Sequence, residues 1–149
     1  MVRPKPLQAV LMATPDETEA QFYEALQHAD LDLLMAVWSD DEEIACVHPG
    51  GARLVGSTAI RASFEALFGQ GPVDTRALQV RRVQMPTCAV HHVLEQVRVS
   101  TEQGTQIGYV LATNIYVKSL QGWRLLVHHA SPGNARELQD MDDAPLVLH

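Results

Sequence analysis

Basic residues are scarce in this chain: 11 Lys and Arg stand against 18 Asp and Glu, a formal net charge of −7. A surplus of negative charge argues against a nucleic-acid or anionic-membrane surface. Part of it sits in a tail segment, Glu137, Asp140, Asp142 and Asp143, so the body is less acidic than the total. Cysteine is scarce too. Cys46 and Cys88 lie in strand-like runs without metal-ligand spacing, and read as reduced, small hydrophobes of a cytosolic compartment. No stretch approaches the ~20 apolar residues that span a bilayer. The opening MVRPKPLQAVLMATP is only faintly signal-like, because Pro4 and Pro6 break a short apolar run. The expected location is cytoplasmic, with no membrane contact. There is no nucleophile elbow, P-loop, Rossmann glycine pattern or zinc motif, so covalent, nucleotide-dependent and metal chemistry lack support, and no cofactor is expected. Internal repeats and low-complexity blocks are also missing.

What is present suits one globular domain of 149 residues, 46% hydrophobic and 19% charged. Thr14-Pro15-Asp16-Glu17 is a helix start: Thr14 can cap, Pro15 suits the first helical position and Glu17 completes a capping box. Phe22, Leu26 and Ala29 then form an apolar stripe. Asp30 is expected to cap a shorter helix burying Leu33, Leu34, Val37 and Trp38. Ser57 is expected to cap a third, with Ile60, Phe64, Leu67 and Phe68 at helical spacing. The character then changes. The runs 78–85, 89–100, 106–118 and 122–131 are rich in Val, Ile, Tyr and Thr and are joined by short turns, which predicts an antiparallel meander. Helices first and a long meander after make an α+β pattern. A long-stranded sheet twists, and curled around three helices it forms a cone-shaped roll. Residues 1–13 read as an N-terminal extension, 14–132 as the cone and 133–149 as an acidic tail.

The stretch Asp41–Gly56 is the hub of this reading. An apolar beat through Ile44 and Cys46 reaches His48, then turns at Pro49-Gly50-Gly51. A histidine at a strand end beside a tight corner is placed to look into a cavity. In a plainer reading it only holds the turn through its own hydrogen bonds.

Three segments carry a resemblance to a known family. They are Ala29-Asp30-Leu31-Asp32 through Trp38-Ser39-Asp40-Asp41; Val47-His48-Pro49-Gly50-Gly51 with Gly56 and Ile60; and Ala112–Tyr116 with Gly122-Trp123 and His128–Pro132. In order and spacing the chain resembles the nuclear-transport-factor-2-like superfamily, which includes ketosteroid isomerase, SnoaL-like polyketide cyclases and the association domain of calmodulin-dependent kinase. That fold hosts enzymes, binding proteins and assembly modules, so the resemblance leaves activity open.

By that resemblance His48 stands where the isomerase has its general base, and an imidazole with an ordinary pKa of roughly 6.5 suits proton abstraction. Asn114 takes the strand position of the oxyanion-hole acid, and its amide can donate one hydrogen bond. The first-helix position is Phe22, which cannot donate, so steroid isomerisation in particular is not implied. Strand alternation puts Trp123, Leu125, Val127, His129 and Ser131 on one face, and the resemblance assigns that face to the cone, adding His129 to the catalytic candidates. Phe22, Trp38, Phe64, Phe68, Ala112, Tyr116 and Val127 are the candidate pocket residues, with hydrophobic core as the alternative for the aromatics. Asn114 and His129 could equally be satisfied core groups. Glu95 reads as a possible acid or, more plainly, as a carboxylate on a solvated strand face. Neighbours in a strand point to opposite faces, so neither His91-His92 nor His128-His129 can chelate as a pair.

Ile107, Tyr109, Leu111, Thr113, Ile115 and Val117 share the opposite face of their strand, which is as apolar as the first. A sheet apolar on both sides needs cover on both, and a homodimer packed sheet to sheet supplies it. The functional expectation is a cofactor-free isomerase, cyclase or dehydratase acting on a mostly apolar carbonyl compound. Its rival is a non-catalytic binding or assembly module.

Overall fold

The computed structural model describes residues 12–133. The expected tail at 133–149, its first residue excepted, and most of the N-terminal extension lie outside the described residues. Helix α1 spans Pro15–His28. Thr14 caps it, its side chain accepting from Glu17 N at 3.1 Å, while the Glu17 carboxylate reaches back to Ala13 N at 2.9 Å. The helix ends at Ala29, whose φ of 51° is left-handed. Helix α2, Leu31–Ala36, is capped by Asp30 accepting from Leu33 N at 3.0 Å. Helix α3, Ser57–Phe68, departs from expectation at its start: Gly56 is the cap residue and no side chain caps the helix. Gly56 has φ of 92°, a conformation other residues rarely adopt, and its backbone alone turns the chain into the helix.

The strands are β1 (Ala45–Val47), β2 (Arg53–Val55), β3 (Asp74–Gln84), β4 (Cys88–Thr101), β5 (Gly104–Ser119) and β6 (Gly122–Pro132). They form one six-stranded sheet in the order β2-β1-β6-β5-β4-β3. The predicted meander β3 to β6 is antiparallel throughout. The short strand β1 extends it by pairing parallel to β6, with Cys46 opposite His128. The three helices and this curved, unclosed sheet make an α+β roll. Among the described residues, no helix is long and apolar enough to cross a membrane.

The core lies between helices and sheet. Phe22, Leu34, Val37, Ile44, Cys46, Ile60, Tyr116 and Leu125 have no exposed surface. Removing such side chains from water is the main favourable term, about 1.5–3 kcal/mol for each large one. Trp38 follows α2 and is fastened to the sheet by its neighbours, Ser39 N donating to Leu125 O (2.8 Å) and Leu125 N to Val37 O (2.7 Å).

Two irregularities decide which side chains face the helices. In β3 the register skips between Ala77 and Gln79. In β6 the pairing passes from Ile115↔Val127 to Tyr116↔Leu125, so Leu126 is an extra residue. A bulge of this kind reverses the alternation along its strand. Trp123 and Leu125 point inward before it, and His128 and Ala130 after it, while His129 is exposed on the outer face. The expectation that Val127, His129 and Ser131 line the cone is corrected for this reason.

Candidate functional site

A cavity of about 550 Å³ opens between α1, α3 and the inner face of the sheet. Its walls are largely hydrocarbon: Phe22, Leu26, Phe64, Leu67, Val73, Val97, Val110 and Ala130. Four titratable residues line it, His48, Glu95, Tyr109 and His128. This size and this mix of apolar wall and few polar groups are those of small-molecule sites.

His48 arrives from the corner after β1. Gly51 N donates to His48 O at 2.8 Å across Pro49 and Gly50, and Gly50 has φ of 74°. Pro and Gly in those two places are the residues a type II turn requires. The ring stands edge-on to Phe64, centroids 5.0 Å apart, and its Nε2 is 3.1 Å from Ser63 Oγ on α3. Burial lowers the His48 pKa below that of a free imidazole.

His128 comes from β6 through the Leu126 bulge. It packs on Phe22, ring centroids 4.9 Å apart, and its Nδ1 is 2.6 Å from Asn114 Oδ1. Burial lowers its pKa to about 3, with His48 and His129 adding to the effect, so the imidazole is neutral. Glu95 is on β4 and is 5% exposed rather than solvated as expected. Tyr23 Oη donates to its Oε2 at 2.6 Å. Burial, with Glu19 adding to it, raises the carboxyl pKa to about 7 against the opposing Tyr23 hydrogen bond. The cavity thus holds a carboxyl poised near neutrality beside two imidazoles that resist protonation.

Beneath this floor lies a polar cluster unforeseen in the sequence. Glu19 Oε2 accepts from Tyr116 Oη at 2.7 Å, from His91 Nδ1 at 2.9 Å and from Asn114 Nδ2 at 3.4 Å. Asn114 Nδ2 also donates to Tyr23 Oη at 3.1 Å. Register brings the sheet's share together, because His91, Asn114 and His128 are successive cross-strand partners. The helix's share is Glu19 and Tyr23, four residues apart on the stripe that carries Phe22 and Leu26. That spacing was the available signal. It also supplies a first-helix phenol, Tyr23, one residue beyond the Phe22 that the resemblance pointed to. Burial raises both phenols well above their ordinary pKa, with Glu95 contributing at Tyr23 and Glu19 at Tyr116.

The sequence-predicted residues divide accordingly. His48, Phe22 and Phe64 line the cavity. Asn114 and Tyr116 are fully buried one layer behind it, and Phe68 packs on Phe64 at 6.1 Å between ring centroids. Ala112 is buried in the core, Trp38 is docked on β6 away from the cavity, and Val127 and His129 lie in an outer-face groove. Asp16, Glu19 and His91 bring ligand-type atoms within 4.8 Å of one another. Arg82 Nε already pairs with Asp16 at 2.9 Å and supplies the positive charge there.

A family model described as a SnoaL-like domain matches residues 16–135. The chain belongs to the SnoaL-like domain family. Solved structures share its fold. A Thiobacillus denitrificans protein, provisionally described as a calcium/calmodulin-dependent protein kinase type II association domain, is 34% identical over 83% of this chain and 98% of its own, with a TM-score of 0.75. A provisionally described dehydratase of the NTF2-like family from Streptomyces avermitilis is 23% identical over 87% of this chain and 99% of its own, TM-score 0.73. A Caulobacter vibrioides protein with a cystatin-like fold is 13% identical over 90% and 95%, TM-score 0.69. The last two share with this SnoaL-like domain its fold alone. Among curated proteins none is matched by the sequence.

Proposed function

We propose that this SnoaL-like domain binds a mostly apolar, carbonyl-bearing small molecule and moves a proton on it without a cofactor, as an isomerase, cyclase or dehydratase does. The observation that supports this is one cavity of about 550 Å³ presenting His48, His128 and Glu95 together on hydrocarbon walls. Titratable groups pushed apart in pKa within one cleft are the mark of paired acid and base roles. In this reading His48 is the base. The C–H bond beside the carbonyl breaks, its proton goes to the imidazole lone pair, and its electron pair flows into an enolate whose oxygen takes a hydrogen bond from the protonated Glu95. Returning the proton at another carbon completes an isomerisation. Asn114 serves from behind, through His128, rather than on the ligand.

The test is deuterium wash-in from D2O at the carbon beside the carbonyl, followed by NMR over a panel of apolar cyclic ketones. Exchange that disappears in His48→Ala is the expected result. A folded protein that neither exchanges nor binds any of the panel overturns the reading.

A second reading, an assembly module, is favoured by the 34% identity to the provisionally described association domain. Its sign is an oligomer larger than a dimer that His48→Ala leaves intact. Under either reading we infer self-association through the outer sheet face, where Val83 and Ile107 are about half exposed (53% and 49%).

A further inference from the structure

Glu19 touches no cavity surface, yet its hydrogen bonds determine which cavity atoms carry protons. Its Oε2 is surrounded by Tyr116 Oη, His91 Nδ1 and Asn114 Nδ2. An ionised carboxylate only accepts, so Asn114 has to turn its NH2 edge toward Glu19. The same edge reaches Tyr23 Oη at 3.1 Å. The carbonyl edge of Asn114 is thereby aimed at His128 Nδ1, 2.6 Å away. A carbonyl oxygen only accepts, so Nδ1 of His128 carries the hydrogen and Nε2 is left with a bare lone pair.

A second arm leaves the same amide. Tyr23 accepts from Asn114 and passes its own hydrogen to Glu95 Oε2 at 2.6 Å. When Glu95 holds a proton, that proton therefore sits on Oε1. The result is an acceptor from β6 and a donor from β4 on the wall of one cavity.

We propose that Glu19, acting through Asn114, fixes His128 as the Nδ1–H tautomer and so makes the cavity selective for apolar ligands that pair a hydroxyl or enol donor with a carbonyl acceptor. Glu19 and Asn114 are positioning residues in this scheme. The ligand selectivity rests on the cavity reading given above, whereas the tautomer assignment does not. A ligand hydroxyl would donate to His128 Nε2, and its carbonyl would accept from Glu95 Oε1. A ligand with no donor would leave the Nε2 lone pair desolvated and unmatched, which costs affinity.

The deciding experiment is a long-range 1H–15N correlation spectrum of the full chain with 15N-labelled histidine, the His128 signals being assigned by their loss in His128→Asn. A protonated Nδ1 and an unprotonated Nε2 are expected, and the reverse tautomer overturns the proposal. In Glu19→Gln the new carboxamide can donate as well as accept, so Asn114 is free to flip and His128 should become a mixture of tautomers. An unchanged tautomer in the folded variant overturns the role of Glu19. Should that variant fail to fold, the wild-type spectrum still decides: NOEs from the Asn114 NH2 protons should reach the Tyr23 ring, and NOEs to the His128 ring instead would overturn the assignment.

Ligand selectivity is read by titrating 2-naphthol against 2-methoxynaphthalene, which differ in the hydroxyl donor. Binding of the naphthol tighter by about tenfold or more is expected, the worth of one net hydrogen bond. Equal binding overturns the selectivity and leaves the cavity reading standing. Binding of neither overturns both, while the spectrum independently settles the tautomer.

Discussion

His48 Nε2 stands 3.1 Å from Ser63 Oγ, and Ser63 passes its own hydrogen to the Ile60 carbonyl at 2.8 Å. The hydroxyl oxygen is left to accept, so His48 donates through Nε2 and keeps its lone pair on Nδ1. The two cavity imidazoles are thus held in opposite tautomers. Ser63→Ala removes the acceptor and should cost about 0.5–1.5 kcal/mol of stability. Any turnover that depends on His48 should fall by more than that loss explains, because the ring is no longer oriented. Urea melts set beside the rate check this, and an unaltered rate would count against His48 as the base.

Glu19 should be the most sensitive polar position in the core. Glu19→Ala leaves Tyr116, His91 and Asn114 without their shared acceptor. A cost of about 3–5 kcal/mol is expected from stranding such buried partners, and a clearly smaller one from Glu19→Gln, which keeps an acceptor oxygen in place. Chemical denaturation of the two variants makes the comparison.

Stability should respond to pH through two opposed groups. His128 has a folded pKa lowered to about 3, so the stability it contributes is present above its unfolded value of roughly 6.5 and is lost as pH falls toward the folded value. Glu95 has a folded pKa raised from 4.5 to about 7, so its contribution is full below the lower value and is lost as pH rises through the upper. Between about pH 4.5 and 6.5 the slopes, each at most about 1.4 kcal/mol per pH unit, oppose one another. Glu95→Gln should therefore gain stability relative to the parent on going from pH 5 to pH 8. Urea midpoints across that range measure it, and parallel curves would contradict the assignment.

The outer face should be a contact between copies. Ile107→Glu or Val83→Glu places a charge on a half-exposed apolar strand position and should convert a dimer to a monomer while leaving the circular dichroism spectrum unchanged. Light scattering at micromolar concentration reports the mass. A parent protein that is already monomeric under those conditions would defeat the prediction.

Much of the architecture was legible because local chemistry and global fold agree. Thr14 and Asp30 cap the helices they were expected to cap, and the meander's turns fall where short polar or glycine-bearing links interrupt Val- and Ile-rich runs. The corner at His48 was legible for the same reason, since Pro49 and Gly50 leave the chain one good turn. The parallel pairing of β1 with β6 was not, because three residues carry too little pattern to name a partner more than 80 positions away. Glu19 went unnoticed and Glu95 was set on a solvated face because a carboxylate on a helix or strand ordinarily faces water, and Tyr23 was passed over for its neighbour Phe22. Only the tertiary fold shows that each has a hydrogen-bond partner waiting. His128 and His129 were exchanged because a period of two was carried straight through Leu126.

That surplus leucine shows how a fixed register absorbs a change in chain length. Deleting Leu126 would make Val127 the direct successor of Leu125 and leave the flanking pairs, Leu125 with Tyr116 and Val127 with Ile115, as they are. The imidazole would keep its place beside Asn114, because the neighbouring strand, and not the count of residues, decides which histidine looks inward.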